Sequence, residues 1–225
     1  MPRVCLFDVN ETLLDLSALD PHFEGLFGDA AVRQEWFGQM IQSALVSTVT
    51  GAYSDFGTIG AAALRMTAEL HGVEPSDEDQ HQLLQTMQEL PPHPEVHQCL
   101  EYLQDAGLRL ATLTNSTQQV AENQMHNSGL GEYFEQVLSA DSVQRLKPAP
   151  EPYQMAAQSL KEELENIRLI AAHAWDVAGA LRAGCAAAFV ARPGKVLDPL
   201  IKPPDVIGAD LREVAEKIVE VEKEG

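Results

Sequence analysis

The segment VCLFDVNETLLD, residues 4–15, decides the fold. It begins with a run of apolar residues that lacks polar alternation, which is typical of a fully buried strand of a parallel sheet. The run ends at Asp8, so a carboxylate stands at the carboxyl end of the strand, the edge where open α/β sheets bind ligands. Asn10 and Thr12 follow at a spacing that lets them hydrogen-bond Asp8 and fix its rotamer. Position alone leaves two alternatives for Asp8, a structural cap of the loop or a catalytic group.

The composition limits the classes of protein and partner. The chain has 225 residues, 45% of them hydrophobic, which suffices for one large domain or for a domain with an inserted cap. Its formal net charge of −19 argues against nucleic acid and anionic membranes as partners. It remains compatible with a small anionic substrate if the site itself collects positive charge. Cys5, Cys99 and Cys185 lack metal-ligand spacing and are expected to be reduced core residues.

Targeting and membrane signals are also missing from the pattern. No signal peptide precedes the first strand, and no apolar run reaches the roughly 18 residues that span a bilayer. We therefore expect a cytoplasmic protein that does not enter a membrane.

The residues after the first strand have a helical pattern. Apolar residues recur at three- and four-residue spacing in three segments, which are residues 30–48, 58–71 and 77–90. Asp20-Pro21 and residues 25–28 indicate turns. Because no strand pattern interrupts this region, we predict a helical cap over residues 16–92, ending at a proline-rich hinge. The catalytic core would then comprise residues 1–15 and 93–225.

Strands and helices alternate in the rest of the chain. Strands are predicted at residues 108–113, 137–139, 167–172, 187–190 and 205–207, and helices at 117–127, 150–164, 176–183 and 211–224. Such alternation favours right-handed crossovers. The predicted fold class is therefore α/β, a Rossmann-like parallel sheet flanked by helices, with the helical cap inserted after the first strand.

Three further strand ends carry polar groups that would meet Asp8 at the same edge. Thr114 and Asn115 precede a helix, where hydroxyl, amide and free N–H groups can bind an anion, although N-capping alone would also explain them. Lys147, followed by two prolines, is either a solvated surface residue or a fixed counter-charge for the carboxylate. The last strand end brings His173 and Asp176, which separately could be a core histidine and an N-cap. Four such strand ends in one chain are hard to explain as independent accidents.

The order of these motifs resembles a known family over essentially the whole chain. The sequence FDxxxTL, then LTNS, then KP, then AWD, resembles the haloacid dehalogenase superfamily, and within it most closely the type II L-2-haloacid dehalogenases. The resemblance implies a Rossmann-like core with a cap after the first strand. It also implies a 2-halocarboxylate as substrate, with no cofactor and no metal.

The resemblance further implies a role for each matching residue. Asp8 would displace the halide and form an aspartyl ester, which water then hydrolyses to a 2-hydroxy acid. Lys147 would keep Asp8 ionised, and Asp176 would activate the water. The remaining matches are Thr12 beside Asp8, Thr114 and Asn115 as the seat of the substrate carboxylate, and Tyr153 at the site. Asn10, Phe37, Phe56 and Trp175 are further candidate substrate-binding residues, the last two as walls of the halogen pocket. For Tyr153, Phe56 and Trp175, ordinary core packing is the alternative.

Two departures argue against the Mg²⁺-dependent phosphatases of the superfamily. Those enzymes have a second aspartate where this chain has Asn10, which cannot protonate a leaving group. They also have an acidic residue four positions before Asp176, where this chain has Ala172, and losing an anionic oxygen ligand disfavours a hard dication. A phosphatase nevertheless remains an alternative, as does a catalytically silent relative that binds a small carboxylate.

Two other departures concern the halide. The family usually has an arginine after a cap tryptophan, whereas here Trp36 is followed by Phe37, and losing such a contact should slow the reaction about 10²-fold. Arg33, one helical turn away, is a candidate substitute. His173 stands where the family commonly has asparagine, and we hypothesise that it partly replaces the arginine, either as a base or as a cationic donor to halide, in a pocket that favours short substrates such as fluoroacetate. A homodimer with an interface formed by the apolar cap helices is an open alternative to a monomer.

Overall fold

The sheet is central to the fold. In the computed structural model, which describes residues 4–224, six strands form one parallel sheet in the order β3-β2-β1-β4-β5-β6. The strands are β1 (Val4–Phe7), β2 (Leu110–Thr114), β3 (Gln136–Ser139), β4 (Ile167–Ala171), β5 (Ala186–Val190) and β6 (Val206–Gly208). The strand order reverses beside β1, so the residue after it, Asp8, lies at the topological switch point where such sheets bind ligands. The predicted α/β fold class is confirmed.

Helices cover both faces of the sheet. Alternate residues of β1 point to opposite sides, so Cys5 and Phe7 belong to one apolar cluster and Val4 and Leu6 to another. The first cluster includes residues of α5 (Val96–Asp105), α6 (Gln118–Asn127) and α9 (Leu211–Glu224), whereas the second includes residues of α7 (Pro150–Leu160) and α8 (Ala174–Ala183). This double coverage explains why β1 reads as an unbroken apolar run.

Five α-helices lie between β1 and β2, and the first four fall within residues 16–92, the region predicted as the cap. These four are α1 (Asp20–Phe27), α2 (Val32–Thr50), α3 (Phe56–His71) and α4 (Asp77–Thr86). The indole N–H of Trp36 in α2 donates to the carbonyl oxygen of Gly60 in α3 at 3.0 Å, and a side chain at Gly60 would press on Met40. Trp36 and Met40 share one apolar cluster with Phe7 of the sheet. Phe37 of α2 also stacks on His173, the residue before α8, so α2 lies against the carboxyl end of the strands.

The sequence analysis is wrong or silent about two helices. Asp20-Pro21 and residues 25–28 were predicted as turns, but Asp20–Phe27 is the helix α1. Pro21 occupies the first helical turn, where a missing N–H costs little, and Gly28 ends the helix at φ 73°. Helix α5 follows the proline-rich segment and has no counterpart in the predicted elements. The helix predicted to end at residue 164 ends at Leu160, followed by Lys161 at φ 57°.

The other expectations concern cysteines and membranes. Cys5, Cys99 and Cys185 are buried and unpaired. Among residues 4–224, no helix combines the length and the apolar composition needed to cross a bilayer.

Candidate active site

Lys147 links the two carboxylates of the site. Its Nζ lies 2.9 Å from Oδ1 of Asp8 and 2.6 Å from Oδ2 of Asp176, and it also donates to the carbonyl oxygen of Leu113 at 2.7 Å. All three N–H donors of the ammonium group thus have acceptors. Burial alone would lower the pKa of Lys147, but the charges of Asp176 and Asp8 outweigh it and raise that pKa. Lys147 is therefore a fixed cation in the interior.

Asp8 is held as a carboxylate by donors on both of its oxygens. Oδ1 accepts from Lys147, whereas Oδ2 accepts from Oγ1 of Thr12 at 2.6 Å and from Nδ1 of His173 at 3.0 Å. Burial acts to raise the pKa of Asp8, but the charge of Lys147 and the hydrogen bond from His173 lower it further than burial raises it. Asp8 is consequently ionised at neutral pH, as a nucleophile requires.

His173 is enclosed by carboxylates in the plane of its ring and by aromatic rings on its faces. Nδ1 contacts Asp8, and Nε2 lies 2.9 Å from Oε2 of Glu11. Phe37 and Trp175 stack on the imidazole, with centroid distances of 5.8 and 5.1 Å. Burial would lower the pKa of His173, but the bonds to Asp8 and Glu11 raise it to about 9. His173 is therefore an imidazolium whose two N–H groups donate to carboxylates, and aromatic faces suit such a cation.

Asp176 has a different environment from Asp8. Its Oδ1 accepts from the Tyr153 hydroxyl at 2.5 Å, and its Oδ2 accepts from Lys147. Burial raises the pKa of Asp176, and the nearby charge of Asp8 adds to this increase, which exceeds the opposing effect of Lys147. A carboxylate with a raised pKa is a better proton acceptor, so the two aspartates suit different tasks.

The amide side chains fix the loops around the site. The Asn115 carbonyl oxygen accepts from the backbone N–H of Lys147 at 2.8 Å, so this side chain holds the Lys147 loop. Asn10 accepts from Gln124 of α6 at 2.9 Å and donates to Ser116 Oγ at 3.3 Å. The Thr114 hydroxyl oxygen accepts from the N–H of Ser116 at 3.2 Å, which leaves the hydroxyl hydrogen directed elsewhere.

A small cavity opens beside Asp8 and collects most of the predicted site residues. It is narrow, with a volume of about 10 Å³, and is lined by Asp8, Asn10, Phe37, Ile41, Phe56, Thr114, Asn115, Lys147, His173 and Trp175. This volume is below the range of roughly 300–1,000 Å³ that drug-sized ligands occupy. Thr12 and Asp176 lie behind this lining and bind Asp8 and Lys147, while Tyr153 binds Asp176. The cavity is therefore nearly closed, with room for about one water molecule, and its narrowness favours a short substrate over a long one.

Arg33 does not lie where the sequence analysis placed it. Its Nε binds Asp20 at 2.5 Å, and its Nη1 lies 3.8 Å from Glu11. It lines a separate, outer cavity that shares Phe37 with the Asp8 cavity. The candidate substitute for the missing halide-binding arginine is thus directed towards carboxylates on the far side of Phe37.

Sequence reasoning missed two charged residues near the site. Glu11 binds His173, and Lys195, in the loop after β5, donates to Oε2 of Glu11 at 2.5 Å and lies 5.7 Å from the centre of the Phe37 ring. A carboxylate three residues after Asp8 was a usable signal for Glu11. Lys195 is in an irregular loop, and no spacing in the sequence relates it to Asp8.

This sheet, with an ionised aspartate after its first strand and a lysine between two aspartates, defines a hydrolase of the haloacid dehalogenase type. The family model for haloacid dehalogenase-like hydrolase matches residues 2–184, and the chain belongs to that family.

Similar proteins carry more specific names. Haloacetate dehalogenase H-2 of Moraxella sp. (strain B) is 29% identical over 88% of this chain and 90% of its own length. The (S)-2-haloacid dehalogenase H-109 of Pseudomonas putida is 26% identical over 96% of this chain and 97% of its own. The crystal structure of the L-2-haloacid dehalogenase RSc1362 superposes with a TM-score of 0.92 at 26% identity, covering 96% and 98% of the two chains.

Proposed function

We propose that this protein hydrolyses short 2-haloalkanoic acids to 2-hydroxy acids, without a metal, through an ester on Asp8. The observation that carries the proposal is the state of Asp8, a buried carboxylate between the cations Lys147 and His173 that lines a narrow cavity. The dehalogenases among its relatives support the same chemistry.

In the first step, Oδ1 of Asp8 attacks the carbon that carries the halogen. Oδ2 already accepts two hydrogen bonds, from Thr12 and His173, whereas Oδ1 accepts one from Lys147 and so retains a lone pair for attack. The carbon–halogen bond breaks, and the halide leaves with its electron pair. The Thr114 hydroxyl and nearby backbone N–H groups are the proposed seat of the substrate carboxylate.

In the second step, water attacks Cγ of the Asp8 ester. Asp176 is the proposed base, because burial raises its pKa and Tyr153 and Lys147 fix both of its oxygens. In the family pattern these residues have the same tasks. Asn115 contributes indirectly, because its side chain holds the loop that carries Lys147.

The hypothesis that His173 replaces the missing arginine is restricted to the positive charge of its ring. Both ring N–H groups bind carboxylates, so His173 offers a halide its positive charge rather than a free N–H. Because the Phe37 and Trp175 rings narrow the cavity on either side of the imidazole, we expect haloacetates to be better substrates than longer haloacids, with fluoroacetate as a candidate.

The phosphatase alternative is not favoured. Asn10 is an amide engaged with Gln124 and Ser116, so it cannot donate a proton to a leaving oxygen. In addition, the imidazolium of His173 lies 3.0 Å from Oδ2 of Asp8, and a positive charge there opposes a divalent cation. The three buried cysteines fit the proposed cytoplasmic location, where thiols stay reduced.

The test is halide release from chloroacetate, fluoroacetate and both enantiomers of 2-chloropropionate, with EDTA present. We expect release that persists in EDTA and disappears in Asp8→Asn, a substitution of similar shape that removes the nucleophilic charge. Release that needs added Mg²⁺, or that survives in Asp8→Asn, would refute the mechanism. Absence of release from all four compounds would refute the function.

A further inference from the structure

We propose that Glu11 is a positioning residue that holds His173 as the oxyanion donor for ester hydrolysis, the second step of the proposed function on which this inference rests. The proposal gives His173 a role different from halide binding. It also gives a function to Glu11, a residue outside the motifs that define the site.

The argument starts from the two oxygens of Asp8. Once Oδ1 is alkylated, Oδ2 is the carbonyl oxygen of the ester, and it lies 2.6 Å from Thr12 Oγ1 and 3.0 Å from His173 Nδ1. Attack by water at Cγ places a negative charge on Oδ2. Two fixed donors at that atom, one of them cationic, are the arrangement that stabilises a tetrahedral oxyanion.

The step balances with the groups present. Water adds to Cγ and gives one proton to Asp176, while the electron pair of the carbonyl bond moves to Oδ2. The pair then returns, the Cγ–Oδ1 bond breaks, and Oδ1 departs as the hydroxyl oxygen of the product with the proton from Asp176. The new carboxyl group of Asp8 gives the second proton of the water to Asp176, which loses it to solvent as the product leaves. Asp8 is thus a carboxylate again, with one oxygen from water, and His173 keeps its proton throughout.

Glu11 has an unfavourable backbone conformation that its side-chain contacts offset. Its φ is 61°, a region that costs a side-chain-bearing residue conformational energy. Its side chain is only 12% exposed and makes three contacts, to Nε2 of His173 at 2.9 Å, to Nζ of Lys195 at 2.5 Å and to Nη1 of Arg33 at 3.8 Å. A glycine would fit this backbone without strain, so the carboxylate itself is the feature that needs an explanation.

The groups around His173 explain why the carboxylate is needed. The loop after β1 supplies the anions Asp8 and Glu11, while α2 and α8 contribute the uncharged rings of Phe37 and Trp175. The cations Lys147 and Lys195 lie beyond these anions and bind them. When Asp8 becomes a neutral ester, Glu11 is the remaining anion bonded to His173, and it keeps the ring protonated at the moment when the donor is needed.

The first experiment follows the two steps separately in Glu11→Gln, which keeps the shape of the side chain and removes its charge. With chloroacetate, we expect a rapid burst of about one halide per active site, followed by turnover reduced about tenfold or more. Intact-protein mass spectrometry should show a carboxymethyl ester accumulating on the variant but not on the wild-type protein. A variant that turns over slowly without a burst and without the ester would overturn the proposal, as would unchanged turnover.

The second experiment measures the charge of His173 directly by NMR titration of its ring, assigned with His173→Gln. Glu11→Gln should lower the pKa of His173, and the activity of the variant should fall with rising pH earlier than that of the wild type. Glu95→Gln is the matched control, because Glu95 is a similarly buried glutamate, 15% exposed, that pairs with Arg192 at 2.8 Å. Glu95→Gln should leave unchanged both the pKa of His173 and the loss of activity at high pH. An equal shift of the His173 pKa in both variants would overturn the proposal.

A third variant separates function from folding. Glu11→Gly suits the backbone at φ 61°, and the relieved strain offsets part of the stability lost with the ion pairs, so this variant should stay folded yet accumulate the ester. Wild-type protein without halide release would refute the dehalogenase function, whereas wild-type release with an unchanged His173 pKa in Glu11→Gln would refute this inference alone.

Discussion

The phenyl ring of Phe37 lies over the imidazole of His173, with ring centroids 5.8 Å apart and planes inclined by 28°. The sequence departs from the dehalogenase pattern at both positions, where the resemblance implies arginine and asparagine. The departures are therefore one structural unit. A phenyl ring accepts the face of an imidazolium, whereas an arginine at position 37 would set a second cation against it.

This contact predicts that the effects of substituting Phe37 and His173 on activity are coupled. Phe37→Arg alone should lower kcat/KM for chloroacetate about tenfold or more, because the guanidinium repels the His173 cation and the ring loses charge. His173→Asn alone should also lower it. The double variant restores the arginine and asparagine of the family. In a double-mutant cycle, its kcat/KM should be higher than the value obtained by multiplying the two single effects.

Gln34→Arg is the control for this exchange. It adds the same charge to α2 at an exposed position, and it should leave kcat/KM within about twofold of the wild type. Additive effects of Phe37→Arg and His173→Asn would show that the two departures act independently.

The pKa of His173 also predicts how stability depends on pH. The folded protein holds the His173 proton up to a pKa of about 9, whereas an unfolded histidine releases it near 6.5. The stabilisation is therefore complete below about pH 6.5 and is lost as pH rises through 9, an amount on the order of 3 kcal/mol. Urea unfolding of the wild type and of His173→Gln between pH 6 and 9.5 measures this stabilisation. The difference between their free energies of unfolding should become smaller as pH rises. A difference that stays constant over this interval would mean that His173 is neutral when folded.

The strand ends show what the sequence could predict and what it could not. Asp8, Thr114, Lys147 and Asp176 were predicted to meet because parallel strands bring their carboxyl ends to one edge, and the structure brings them together. Lys195 was not predictable, because it reaches Glu11 from an irregular loop whose path depends on tertiary packing. The sequence also left the protonation of His173 open, since that depends on distances to two carboxylates rather than on residue type.

Gly179 of α8 approaches the site too closely for any side chain. A Cβ there would lie 2.5 Å from the Tyr153 hydroxyl oxygen, 2.6 Å from Pro148 Cβ and 2.8 Å from the Pro148 carbonyl oxygen. Gly179→Ala must therefore displace Tyr153 from Asp176 or move the loop that carries Lys147. We expect a loss of about 1–3 kcal/mol in the free energy of unfolding together with a lower kcat.

The helical Gly38 provides the comparison for this glycine. A Cβ at Gly38 would meet nothing within 4 Å, so Gly38→Ala should raise stability by about 0.5–1 kcal/mol and leave kcat unchanged. Equal effects of the two substitutions would show that the close approach at Gly179 is not what matters.

Removal of the Lys147 cation should give a variant that becomes more stable, rather than less stable, as pH falls. Lys147→Met leaves Asp8 and Asp176 buried without the cation that lies between them, which should cost about 3–5 kcal/mol at pH 8. Asp8 still has the cation of His173, but Asp176 then has none and lies near the charge of Asp8, so Asp176 should take up a proton and the folded variant binds more protons than the unfolded chain. Its free energy of unfolding should consequently rise as pH falls from 8 to 5, measured by urea unfolding. Lys217→Met, which breaks a half-exposed pair with Glu213, should show no such rise, and a Lys147→Met deficit equal at both pH values would contradict the prediction.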